Sequence, residues 1–210
     1  MLKVYAIFII LLLFGCSSTK LTDSWKNTSF NNYQPKRVLI LGVTPNITAR
    51  NLYESNLKIA LDKRGIQAYE STNILEPKFI NLKQAEKNIE KEVSNLYKLG
   101  FDAILIAAVK GYEEKIPFKG TIFSDENNLQ GFENYYFLNQ DIYQNTGYYD
   151  KYKVYQIETS LFNITRKNGK SLVWVASYDV INPQKLKATI KHCNSAILKA
   201  LEKEGIIPKI

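Results

Sequence analysis

The chain has 210 residues, 45% hydrophobic and 23% charged, with 28 Lys and Arg against 20 Asp and Glu for a formal net charge of +8. That composition supports one domain with a substantial core and excludes a largely disordered chain. One histidine and two cysteines exclude a zinc or iron–sulfur site built on His and Cys, and equally a scaffold stapled by several disulfides.

The N-terminus reads Met1-Leu2-Lys3, followed by an unbroken apolar run from Val4 to Phe14. As a helix that run reaches about 16 Å against a hydrocarbon core of roughly 30 Å, too short to remain as a spanning anchor. A cationic start and a short apolar middle read as an export signal over residues 1–15. Leu13-Phe14-Gly15-Cys16 is similar to the lipobox of bacterial lipoproteins, in which the cysteine after the small residue becomes the acylated new N-terminus. Cys16 is therefore the expected lipidation site, and a membrane is the expected partner through it. Two or more acyl chains anchor stably where one is marginal. Ser17, rather than an aspartate, fits sorting to the outer membrane, so the expected location is that membrane, facing the periplasm. Cys193 is then the remaining thiol and makes no internal disulfide.

Residues 16–35 are rich in Ser, Thr, Asn and Lys, hold Trp25 and Phe30 as isolated large apolar groups, and close on Pro35. They read as a lipidated N-terminus and tether, with a root-mean-square span of roughly 25 Å for about 20 flexible residues. A single domain is expected over 36–210. Val38 to Val43 is a continuous apolar run with branched residues, the pattern of a strand buried on both faces. After Thr44-Pro45-Asn46, Tyr53, Leu57, Ala60 and Leu61 repeat at helical spacing up to Gly65. Ile66 to Glu70 reads as a short strand. A second helix carries Ala85, Ile89, Val93, Leu96 and Tyr97 and ends at Gly100. Phe101 to Val109 is the next long apolar run, and this β-α-β-α-β order implies parallel pairing. Tyr152 to Arg166 then alternates, Asn168-Gly169 supplies a hairpin turn, and Leu172 to Tyr178 returns. Asn182-Pro183 reads as the start of a last helix with Leu186, Ile190, Cys193, Ile197 and Leu201 on one stripe. The expected fold class is α/β, a mixed sheet with an antiparallel hairpin and a C-terminal helix.

Several of these segments together carry a resemblance. The lipobox, the stretch with Trp25, Arg37 to Val43, Leu99-Gly100-Phe101-Asp102-Ala103-Ile104-Leu105 and Asn168-Gly169-Lys170-Ser171-Leu172-Val173-Trp174 look like a broad group of small periplasmic lipoproteins. Their domain resembles the N-terminal domain of the translocation protein TolB, the lipoprotein activators of peptidoglycan synthases and the curli-secretion lipoproteins. The likeness covers roughly residues 25 to 207 and its motifs are structural. It implies binding or assembly work in the envelope, with an envelope protein or cell-wall component as partner and no reaction attached.

Residues 112–150 differ in kind from the rest: they hold ten of the 26 aromatic residues and seven acidic groups against Lys115 and Lys119. Connections this long are functional or disordered. Aromatic side chains bury much area with few rotatable bonds, which favours contact surfaces. Tyr135, Tyr136 and Phe137 are accordingly the partner-binding candidates; the alternative is that the same aromatics cover an open sheet edge.

Catalytic chemistry is sparse. His192 falls opposite the apolar stripe of its helix and reads as a solvated surface residue, while Cys193 reads as a small core residue without an activating base. The turn Thr44-Pro45-Asn46-Ile47-Thr48 lacks the glycines of a phosphate loop. No catalytic residue, metal or cofactor is expected. A lipid-tethered hydrolase using paired carboxylates is the alternative, and it requires two acids opposed across a cleft. The basic balance comes from scattered lysines such as Lys185, Lys191 and Lys199 on the last helix, so nucleic acid is not an expected partner.

Overall fold

The computed structural model describes residues 19–115, 152–165, 171–183 and 185–210. Its strands are β1 (Thr19–Lys26), β2 (Arg37–Val43), β3 (Gln67–Glu70), β4 (Ala103–Lys115), β5 (Tyr152–Asn163) and β6 (Leu172–Ile181). The helices are α1 (Ile47–Asp62), the short α2 (Ser71–Ile74) and α3 (Pro77–Asn81), α4 (Glu86–Lys98) and α5 (Leu186–Lys203). All six strands form one open mixed sheet in the order β1-β6-β5-β4-β2-β3. Its β2, β3 and β4 are parallel, and β4, β5, β6 and β1 are successively antiparallel. The mixed α/β architecture is the one the apolar runs imply.

Burial follows the two periodicities. Val38, Leu39 and Ile40 of β2 are all buried because helices cover both faces of that strand. On one face, α1 and α5 pack over Val38, Ile40, Leu105, Leu161, Trp174 and Tyr178 through Leu57, Leu61, Ile197 and Leu201. On the other, Leu75 and Leu96 from the α2–α4 side close on Leu39 and Phe101. The Asn46 side chain caps α1 by accepting from the Ala49 amide at 2.9 Å. Gly65 and Gly100, at φ of +77° and +85°, turn the chain after α1 and α4 into the next strands.

Three features depart from the expected plan. First, the segment read as a tether is, from Thr19 onward, an edge strand, with Thr19 opposite Val180 and Lys26 opposite Trp174. The turn that follows buries Phe30 in the main core. An edge strand over one face of a sheet needs few apolar side chains, and only Thr19 of β1 is fully buried, so its sequence looks polar and loose. Second, β4 runs six residues beyond Val109 to Lys115, because β5 continues to pair with it after β2 has left at Ala108. Third, α5 begins at Leu186 rather than at Pro183: the Asn182 amide still donates to Lys153 O at 2.7 Å, extending the β5–β6 ladder, and Asn182 turns at φ +44°. Asn168 and Gly169 lie outside the described residues.

Candidate functional site

The carboxyl ends of β2, β4 and β6 point the same way, and there the sheet, α1 and α5 part to leave a crevice of about 380 Å³. Its position, beyond the carboxyl ends of parallel strands in an open α/β sheet, is where such folds most often bind ligands. Small residues make the hollow. Gly42 closes the β2 side, and a Cβ there would stand 3.3 Å from Tyr53 Cδ1 and 3.5 Å from Arg50 Cγ. Ala107 and Ala108 of β4 contribute little volume beside it. Tyr155 and Ile157 of β5 and Tyr178 and Val180 of β6 form the floor. Leu186, Thr189, Ile190, Cys193 and Ile197 of α5 form the far wall, at the 3–4 residue spacing of a single helix stripe.

A buried charged clamp holds the β2 side of this crevice. Glu54 is wholly buried; its carboxylate accepts from the Gly42 amide at 3.0 Å, the Ser71 amide at 2.8 Å and the Ser71 hydroxyl at 2.7 Å. One turn earlier, Arg50 donates from Nε to Gly42 O (3.2 Å), from one terminal nitrogen to Thr44 O (2.6 Å) and from the other to Asn81 Oδ1 (3.1 Å). Each charge therefore meets fixed dipoles, which is the condition for tolerating its burial. Together they fix α1, the end of β2, α2 and the end of α3 as one unit.

Two residues that line the crevice, Tyr53 and Tyr178, carry buried hydroxyls with no hydrogen-bond partner among the described residues. The Thr159 hydroxyl and, toward the other end of the sheet, the Trp174 indole nitrogen are buried without such a partner as well, outside the crevice lining. Burial drives the Tyr53 phenol well above its ordinary pKa, with the nearby Thr159 hydroxyl opposing that shift and the Tyr178, Glu54 and Cys193 groups adding to it. The Thr159 hydroxyl stands close to that of Tyr53 without meeting hydrogen-bond geometry. Tyr178 is raised in the same sense by burial and by Cys193. Burial also lifts the Cys193 thiol, against a 3.5 Å contact with Thr19 Oγ1 that lowers it. An apolar cleft with a few buried polar groups in its walls has the make-up of a small-molecule or side-chain binding site. Among the described residues its lining contains no carboxylate, lysine or histidine; Arg50, already bonded three ways, is the one charge.

Cys16, Tyr135, Tyr136 and Phe137, the sites singled out from sequence, lie outside the described residues. The described part of the 112–150 segment is its first turn of strand. There Tyr112 stands exposed on β4, its ring 5.9 Å from that of Tyr155 and 5.5 Å from Lys153 Nζ. His192 is half-buried rather than free in solvent, and its Nδ1 is buried without a hydrogen-bond partner among the described residues. Among the described residues no cluster of three or more His, Cys, Asp or Glu is placed to hold a metal ion, and no helix is long and apolar enough to cross a membrane. Arg50, Glu54 and the crevice itself were not read from the sequence. The available signal was spacing: Arg50, Tyr53, Glu54, Leu57 and Leu61 share one buried stripe, so two charges sit where apolar groups belong.

Fold and site define a class: an open mixed α/β sheet domain with an apolar crevice at the carboxyl ends of its strands. Against known protein families and curated proteins the sequence finds no match. Among solved structures, the chain is similar to the PelC dodecamer from Paraburkholderia phytofirmans at 15% identity, covering 89% of this chain and 95% of that one, with a TM-score of 0.41. A PelC variant dodecamer from the same organism gives 14% identity, 87% and 94% coverage and the same TM-score of 0.41. Lipoprotein GNA1162 from Neisseria meningitidis gives 15% identity, 80% and 99% coverage and a TM-score of 0.42. Likenesses this distant carry no argument about function.

Proposed function

We propose that this chain is a lipid-anchored envelope protein that works by binding, with no reaction of its own, on the periplasmic side of the outer membrane. The observation that carries the binding half is the crevice: apolar walls, buried hydroxyls without hydrogen bonds, and no carboxylate in its described lining. A hydrolase of the paired-acid kind needs two opposed carboxyls in such a cleft, and this one offers none among the described residues. The anchoring half rests on Leu13-Phe14-Gly15-Cys16 and the short apolar run before it, supported by the resemblance to small periplasmic lipoproteins. Tyr135, Tyr136 and Phe137 remain the proposed contact residues for an envelope protein or cell-wall component.

The test is metabolic labelling with an alkynyl fatty acid in the native cell, followed by fractionation. Wild-type protein is expected to carry label and sediment with membranes, whereas Cys16→Ala should lose the label and appear in the soluble periplasmic fraction. Label and sedimentation unchanged in Cys16→Ala would overturn the anchor.

A further inference from the structure

The anchor proposed above lies three residues before Thr19, and Thr19 is not on a loose leader. It is hydrogen-bonded within the sheet opposite Val180, and its hydroxyl touches Cys193 in the wall of the crevice. Three residues span at most about 11 Å, less than half the reach that a flexible 16–35 tether would have. Acyl chains on Cys16 would therefore leave the domain at the end where the carboxyl termini of β2, β4 and β6 and the crevice are found.

That same end gathers exposed apolar side chains. Val43 is 51% exposed, Ile47 64%, Val109 50%, Tyr112 60%, Ile181 40% and Leu186 42%. They come from five different elements, so no one helix or strand face accounts for them. Lys20, Lys185 and Lys187 are exposed around this rim, Lys20 standing in register opposite the half-buried Asp179, and on the β4–β5 extension Lys110 pairs with Glu158 at 3.8 Å while Lys153 stands with Glu113 and Glu114. Large apolar groups with lysines among them suit the boundary between head groups and acyl chains.

We infer that this end of the domain is seated in the interfacial layer of the bilayer, with a lipid surface as the partner of the apolar rim, so that the crevice opens onto lipid rather than onto the periplasm. The inference rests on acylation at Cys16.

The experiment uses the full-length acylated protein reconstituted into phosphatidylethanolamine–phosphatidylglycerol vesicles, with and without brominated acyl chains. Single tryptophans are added at the rim (Val109→Trp, Leu186→Trp) and, as a control, at the opposite end of the sheet (Leu99→Trp); all three positions are exposed, so the fold should tolerate them. Brominated lipid is expected to remove at least half of the added fluorescence at Val109→Trp and Leu186→Trp and none at Leu99→Trp. Rim probes left unquenched in protein whose intact mass shows acylation would overturn the inference while leaving the anchor standing. Unquenched rim probes that cross-link between copies would give the rim to a second copy of this chain and overturn it likewise. An intact mass without fatty substituents would remove the anchor, and this inference with it.

Discussion

The two ends of the sheet are built in opposite ways. At the amino ends of β2 and β4 many polar groups are tied, with the Trp174 indole nitrogen on β6 an exception. Asp102 accepts from the amides of Lys36 (2.9 Å) and Arg37 (2.8 Å), and Tyr33 donates to Asp102 O at 3.1 Å. Arg64 pairs with Glu202, and Lys26 reaches Glu204 O at 2.7 Å. The Arg37 guanidinium lies over the rings of Tyr69 (4.7 Å) and Phe101 (5.1 Å), although its Nε finds no hydrogen bond. At the carboxyl ends the balance reverses: hydroxyls are buried without hydrogen bonds, apolar side chains face outward, and one charged clamp supplies the order. Cohesion is concentrated at one end, and surface that can still gain interactions is left at the other. Such a division is expected where a rigid scaffold presents a binding site.

Substitutions can break that contrast or sharpen it. The largest effect is expected for Glu54→Ala, which leaves the Gly42 and Ser71 amides and the Ser71 hydroxyl without an acceptor in a dry interior; urea unfolding should show a loss of about 3–4 kcal/mol. A loss below 1 kcal/mol would mean that the carboxyl end does not depend on its clamp. Asp102→Ala comes next, at about 2–3 kcal/mol, since two amides lose a charged acceptor but lie nearer to water. Heteronuclear NMR on that variant should show shifts confined to the amino end and the crevice resonances unmoved. Smallest is Tyr178→Phe, which deletes a hydroxyl that makes no hydrogen bond among the described residues. Stability should change by no more than about 0.5 kcal/mol, or rise slightly. A drop of 2 kcal/mol or more would show that the hydroxyl is bonded in the free protein and does not await a partner.

Much of this scaffold can be read without coordinates. Long apolar runs at Val38–Val43 and Ala103–Val109 announce strands covered on both faces, and the α5 stripe from Leu186 to Leu201 announces a helix on the core. The parts that escape such reading do so for identifiable reasons. The β1 sequence Thr19–Lys26 buries a single residue fully, so its membership of the sheet is written in backbone hydrogen bonds, which leave no trace in hydropathy. Glu54 and Arg50 carry charges that pattern reading assigns to solvent, and only their dipolar surroundings make burial possible. The crevice depends on small residues, Gly42 and Ala107, standing where the facing helices diverge, a property of three elements together. Asn182-Pro183 misleads because its turn chemistry suits a helix start equally well as a strand exit.

One pairing in the sheet bears on how the molecule is completed. Strand β1 follows the proposed anchor almost at once, yet among the described residues it pairs with β6 alone, some 150 residues further on. Contacts so distant in sequence are slow to form and cannot precede the arrival of the later partner. A chain threaded across a membrane from its N-terminus would thus hold its first strand in waiting until almost the last one had emerged. Truncation before Leu172 would strip the leading strand of its docking place and turn a closely held body into one on a long leash.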